Sequence, residues 1–229
     1  MISDAAIADY VLALYDYAGG PQVQWDHLQP RSADDGISWA FKRIGENDLI
    51  VLEGTSSIQD IIRDLVAVSD PTTHSPLGPL HIGFWDGMME AWDLIRRIIR
   101  KPVIVCGHSL GGAHAAILAG IMVVNHQPPV RRVTFGEPRA GCPKLREVVS
   151  GVPTTIYHNH RDVISDLPIS LPPLAPYCDS GERTLIEVKP HGRSLLWGPF
   201  AYHHMQLYRE GIKDVAVEAI NGVAVGTPS

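Results

Sequence analysis

The chain has 229 residues, 45% of them hydrophobic, which suits the core of a single α/β domain spanning 1–229. Its formal charge of −6 arises from interspersed residues of both signs, which excludes the basic stripe of a nucleic-acid binder and the polybasic anchor of a membrane-surface protein. The three cysteines, Cys106, Cys142 and Cys178, have neither C-x-x-C nor zinc-finger spacing. Reduced thiols are expected, with Cys142 and Cys178 the pair to consider in an oxidising compartment.

The opening stretch, MISDAAIADYVLALYDYAGG, carries Asp4 and Asp9 where a signal peptide needs a basic start and an unbroken apolar run. It reads as an amphipathic helix ended by Gly19 and Gly20. No segment reaches the roughly 18 apolar residues of a membrane span. A soluble, cytoplasmic protein without stable membrane insertion is expected, or a secreted one if a leader has been removed. Apolar, β-branched runs at 48–52 (DLIVL), 102–106 (PVIVC), 130–135 (VRRVTF), 154–157 (TTIY) and 184–188 (TLIEV) predict strands. Helical spacing occupies 58–68, 83–100 and 110–125. Strands alternating with helices predict a mostly parallel sheet covered on both faces. At 167–176, LPISLPPLAP is too rich in proline for a helix or central strand and reads as a surface excursion.

The most informative segment is VIVCGHSLGGAHAAILAG at 103–120, where GHSLG fits G-x-S-x-G between a strand and a helix rich in small residues. So sharp a turn leaves no room for side chains at Gly107 and Gly111. It would hold Ser109 strained above the strand end, with the Leu110 N–H at the helix N-terminus, able to donate to a developing oxyanion. A serine hydroxyl needs an imidazole to take its proton, and the imidazole needs a carboxylate to orient it. In the chain order of this strand-turn-helix architecture both follow the serine. Asp162, just after a predicted strand, is the favoured acid, with Asp166 the alternative. The base is His203 or His204 in FAYHHMQLYREGI, with His191 a weaker option.

These residues resemble the class 3, or fungal-type, lipase family. The resemblance rests on LIVLEGTSSIQDIIRDL (49–65), HIGF (81–84), GHSLGG (107–112), TFGEPRAG (134–141) and NHRDVISDLP (159–168), in the family's order. It implies an α/β-hydrolase fold in three α/β/α layers and a serine ester hydrolase without cofactor or metal, acting on a small-molecule ester or lipid. It also implies that Thr55 donates to the oxyanion beside Leu110, that Asp162 is the triad acid, and that His203 aligns with the family's histidine. Tyr202 stands where that final block often has aspartate, so both histidines remain candidates, and Glu53 replaces the arginine usual before the glycine-threonine pair.

The region around 56–70 corresponds to the family's lid. Ile58, Ile61, Ile62 and Leu65 form one apolar stripe there, which an ordinary core helix would share. Only about fifteen residues separate it from HIGF, leaving little material for a large cap and favouring short to medium acyl esters. Two other classes compete: a metal-dependent hydrolase using His158, His160 and Asp162, and a non-catalytic lipase-like domain that binds a lipid or a partner.

Overall fold

A computed structural model describes residues 2–15, 21–30, 37–54, 75–170 and 177–220. The described elements run α1 (Asp4–Leu14), β1 (His27–Gln29), β2 (Trp39–Ile44), β3 (Asn47–Leu52), α2 (Ile82–Trp85), α3 (Met88–Ile98), β4 (Val103–His108), α4 (Leu110–Val124), β5 (Arg131–Phe135), α5 (Pro143–Val149), β6 (Thr154–Asn159), β7 (Arg183–Ile186) and α6 (Met205–Ile220). Short 3-10 segments cover Ile164–Asp166 and Gly192–His203.

The strands form one sheet in sequence order, β1 to β7. Pairings β1/β2 and β2/β3 are antiparallel, and every pairing from β3 to β7 is parallel. Because the parallel strands advance in one direction, crossovers of a single hand lay α2 to α5 on one face. That leaves the other face to α1 and α6. Alternate side chains divide between the two cores accordingly. On β3 and β4, Ile50, Leu52, Val103 and Val105 enter the cluster with α3 and α4, while Leu49, Val51, Ile104 and Cys106 enter the cluster with α1 and α6. This is the expected three-layer α/β-hydrolase architecture.

Three expectations are modified. The helix read over 83–100 is divided, because Asp86 is extended and Gly87 has a positive φ of 76°, so α3 starts afresh at Met88. The N-terminal helix stops at Leu14, capped by Tyr15, whose N–H turns back to Leu12 and Ala13, before the glycine pair is reached. Strands β1 and β2 carried no clear alternation and are defined by pairing, β1 with β2 and β2 with β3. The lid segment at 56–70 and Thr55 lie outside the described residues. Among the described residues, no helix is long and apolar enough to cross a membrane.

Helix α1 is fastened to the sheet and to α6. Asp4 pairs with Arg131 at 2.5 Å and accepts the Tyr157 hydroxyl at 2.8 Å. Asp9 receives a two-pronged bond from Arg209 of α6, at 2.5 and 2.7 Å, a geometry that fixes direction as well as distance. The C-terminal end of α1 thereby arrives at the tip of β4.

Candidate active site

Ser109 joins β4 to α4 at φ 58°, ψ −129°, a backbone conformation that costs a non-glycine residue on the order of 1–3 kcal/mol. Its neighbours enforce that conformation. A Cβ at Gly107 would lie 2.2 Å from the Gly111 carbonyl oxygen, and one at Gly111 would lie 2.1 Å from the Leu52 oxygen, both backbone atoms with no room to yield. The Ser109 N–H donates to the Phe135 carbonyl at 2.9 Å, tying the turn to the end of β5. Leu110, as the first residue of α4, has an N–H with no intrahelical acceptor. Strand β3 ends against the same turn, where a Cβ on Gly54 would meet the Ser109 Cβ at 3.2 Å. Gly54 immediately precedes Thr55 in sequence.

Asp162 follows β6 and is buried. One of its oxygens accepts the Ile164 N–H at 3.0 Å; the other accepts the Ser165 hydroxyl at 3.0 Å, the His203 Nδ1–H at 2.7 Å, and the Tyr208 hydroxyl. Burial by itself would raise the Asp162 carboxyl. The charge and hydrogen bond of His203, with the bonds from Tyr208 and Ile164, outweigh it and hold the group at about 2. The carboxylate is therefore ionised and fully occupied by protein donors.

His203 is buried, with its Nδ1 on Asp162. A carboxylate only accepts, so Nδ1 carries a proton, and whenever the ring is neutral Nε2 is the bare acceptor. The ring lies against the serine turn. A Cβ on Gly136, the residue after Phe135, would come within 2.9 Å of the His203 Cε1, and the rings of His203 and His108 are 4.7 Å apart. Neither Ser109 Oγ nor His203 Nε2 has a hydrogen-bond partner among the described residues. A buried polar atom left unbonded typically costs about 1–3 kcal/mol. Here one is a hydroxyl donor and the other an imidazole acceptor, the two halves of a proton transfer.

The other candidates have different surroundings. His204 is also buried, but its Nδ1 accepts the Gln206 N–H at 3.3 Å; burial first, then His203, lowers its pKa. Asp166 pairs with Arg183 at 2.7 Å and Arg139 at 3.5 Å in an exposed network that braces the loop after Asp162. His191 is bonded to Glu210 at 2.7 Å on the surface. The H-x-H-x-D residues are not gathered round one point: Asp162 is spent inward, and His160 is exposed. Among the described residues, no group of three or more His, Cys, Asp or Glu side chains is arranged to hold an ion. All three cysteines are free thiols, Cys106 and Cys142 buried.

The model of the class 3 lipase family matches residues 49–171, more than half of the chain. The chain belongs to the class 3 lipase family. It is 32% identical over 136 residues to a lipase of Rhizomucor miehei, covering 52% of this chain and 37% of that protein. It is 30% identical over 94 residues to the toxin TseL of Vibrio cholerae serotype O1, covering 39% of this chain and 15% of the toxin. The chain thus spans well under two-thirds of these relatives' lengths. Among solved structures, the R. miehei triacylglyceride lipase superposes with a TM-score of 0.60 at 23% identity, over 81% of this chain and 82% of that one. A triacylglycerol lipase whose catalytic centre is described as a serine protease triad gives 0.60 at 26% identity, over 78% and 77%.

Within this family frame, three side chains at the site had been given no role from sequence. Tyr208 lies on the first turn of α6 and bonds Asp162, while its oxygen also accepts the Asn159 N–H at 3.2 Å. The signal was there in YHHMQLY, whose tyrosine falls five residues after His203. Ser165 follows Asp162 by three and closes a local turn onto it. His108, inside the serine motif, bonds the main chain of His203 through Nε2 at 2.7 Å, a contact that no local pattern announces.

Proposed function

We propose that the chain is a serine carboxylic-ester hydrolase working through an acyl-enzyme, with Ser109 as nucleophile, His203 as base and Asp162 as the acid that orients it. The observation that carries this reading is the pair of unsatisfied buried atoms, Ser109 Oγ and His203 Nε2, beside an ionised carboxylate on the far nitrogen of the same imidazole. His203 Nε2 takes the hydroxyl proton as Oγ attacks the ester carbonyl. The tetrahedral oxyanion is stabilised by the Leu110 N–H and by Thr55, the donor that the family resemblance assigns. Collapse breaks the ester C–O bond, and the alcohol leaves with the proton from His203. Water then gives a proton to the same nitrogen, adds to the acyl carbon and releases the carboxylic acid, regenerating Ser109.

The burial of Ser109 and the small span available for a cap favour neutral esters or glycerides of short to medium acyl length. The test is a chain-length series of aryl esters and glycerides, with a phospholipid, assayed on wild type and Ser109→Ala, together with fluorophosphonate labelling. Labelling at Ser109 and ester turnover lost in Ser109→Ala are expected. No labelling of folded protein, or turnover surviving the substitution, would overturn the assignment. Turnover that peaks on long acyl chains would overturn the length preference alone.

A further inference from the structure

Helix α1 delivers one hydroxyl to the seam where the site's segments meet. The Tyr15 oxygen is 2.8 Å from His108 Nδ1 and 3.3 Å from the His108 carbonyl. It also sits so close to the end of β3 that a Cβ on Gly54 would be 2.2 Å away. On the other side of the imidazole, His108 Nε2 is 2.7 Å from the His203 carbonyl. A carbonyl oxygen only accepts, so Nε2 carries the proton, Nδ1 is bare, and the Tyr15 O–H donates to it. The bonds join residues 93 and 95 positions apart and are read in one direction only: hydroxyl to Nδ1, then Nε2–H to carbonyl.

The main chain at His203 needs such a tie. The preceding segment, Gly192–His203, is 3-10 with a break at Gly198 (φ 54°), and it exposes Leu195 and Leu196. It makes no ladder pairing with the sheet among the described residues. Besides the His203–Asp162 bond, two side-chain donors tie its carbonyls, His108 to His203 and Asn159 Nδ2 to Tyr202 at 3.1 Å. The geometry points to Tyr15 and His108 as a positioning pair for the base: the Tyr15 hydroxyl fixes the Nε2–H tautomer of His108, and that N–H holds the His203 main chain so that its imidazole hangs beside Ser109. The inference rests on His203 being the base. Burial keeps His108 neutral, and His203 pushes in the same direction, so no second positive charge opposes the imidazolium that forms 4.7 Å away during turnover. Because α1 is clamped to Arg131 and Arg209 further back, the hydroxyl is presented by a rigid strut.

Three full-length variants test the pair: Tyr15→Phe, which removes one oxygen; His108→Gln, whose amide N–H stands near the place of Nε2; and His108→Leu, which fills the space without a donor. Steady-state kinetics on an aryl ester should show kcat falling on the order of 10- to 100-fold in His108→Leu with KM within about twofold, as expected for a misplaced reacting group. His108→Gln should recover to within about fivefold of wild type, and Tyr15→Phe should lose about 5- to 20-fold in kcat. Spectra of protein with ¹⁵N-labelled histidine read the tautomer without any need for activity. They should report His108 as Nε2–H in wild type and a changed His108 in Tyr15→Phe. Wild-type kcat in folded Tyr15→Phe and His108→Leu, equal losses in the Gln and Leu variants, or an Nδ1–H tautomer in wild type would each overturn the proposal. If His108→Leu does not fold, Tyr15→Phe and the spectra decide. An inert wild type, or an active Ser109→Ala, would instead overturn the hydrolase reading, leaving the spectra to judge the pair.

Discussion

Around Ser109 the backbone is held by exclusion: Gly107 and Gly111 press against carbonyl oxygens at distances no Cβ tolerates, and every atom involved lies within five residues of the serine or at the end of β3. Around His203 the backbone is irregular and held by attraction: His108 and Asn159 donate to its carbonyls while Asp162 accepts from the ring, all three on other strands and loops. The first region is stiff because close-packed backbone cannot relax. The second is only as well placed as each of its bonds. Substitutions of the turn glycines should therefore act on folding, and substitutions that loosen the hold on His203 on rate.

The largest effect should separate the two adjacent histidines. His203→Ala should lower kcat on the order of 10⁴-fold, whereas His204→Ala should keep turnover within about tenfold of wild type, since only His203 meets Asp162. Assays of both at matched concentration of folded protein give the comparison, and the reverse order would move the base to His204. Next in size, Gly111→Ala should destabilise the fold by about 3 kcal/mol or more, seen as a lowered denaturant midpoint, because its methyl would meet the Leu52 backbone. A midpoint near wild type would mean that the turn can relax. Tyr208→Phe removes a donor to Asp162 and an acceptor for the Asn159 N–H; a loss of roughly 1–3 kcal/mol is expected, shared between the denaturation midpoint and kcat.

Acid should unfold the protein in two stages. His108 is held neutral in the fold well below its ordinary pKa, so the unfolded chain binds the extra proton first, and stability should fall as pH drops below about 6.5. The slope from this group is at most about 1.4 kcal/mol per pH unit. Asp162, depressed to about 2 from 3.8, adds stability above pH 3.8 that is lost as pH falls towards 2. Thermal melts from pH 7 to 2 check both stages, and a flat profile between 6.5 and 5 would contradict the first. The smallest effect belongs to Asp166→Asn, which removes exposed ion pairs to Arg139 and Arg183 worth about 0–1 kcal/mol each and should leave kcat near wild type. A dead Asp166→Asn would show that the brace on the Asp162 loop matters more than its exposure suggests.

The serine turn was legible because its constraint is local: the glycine spacing, the preceding β-branched run and the following small-residue helix all sit in one stretch. Strands β3 and β4 were legible for a similar reason, since strands buried on both faces read as continuous apolar runs. Strands β1 and β2 were not, since β1 is defined by its pairing with β2 and β2 by its pairing with β3. The break at Gly87 was hidden because the apolar spacing continues across it, while a positive φ at one glycine leaves no mark on periodicity.

By itself, then, the sequence determined the α/β architecture, the serine turn and the order in which an acid and a base must follow it. Only the tertiary structure separates the surroundings of His203 from those of His204, which share the same local pattern. The difference lies in Asp162, 41 residues away, and in a side chain at 108 that reaches the His203 main chain from 95 residues away. Steric limits on neighbouring atoms are written in adjacent residues, whereas hydrogen bonds across the fold exist only once distant segments have been brought together.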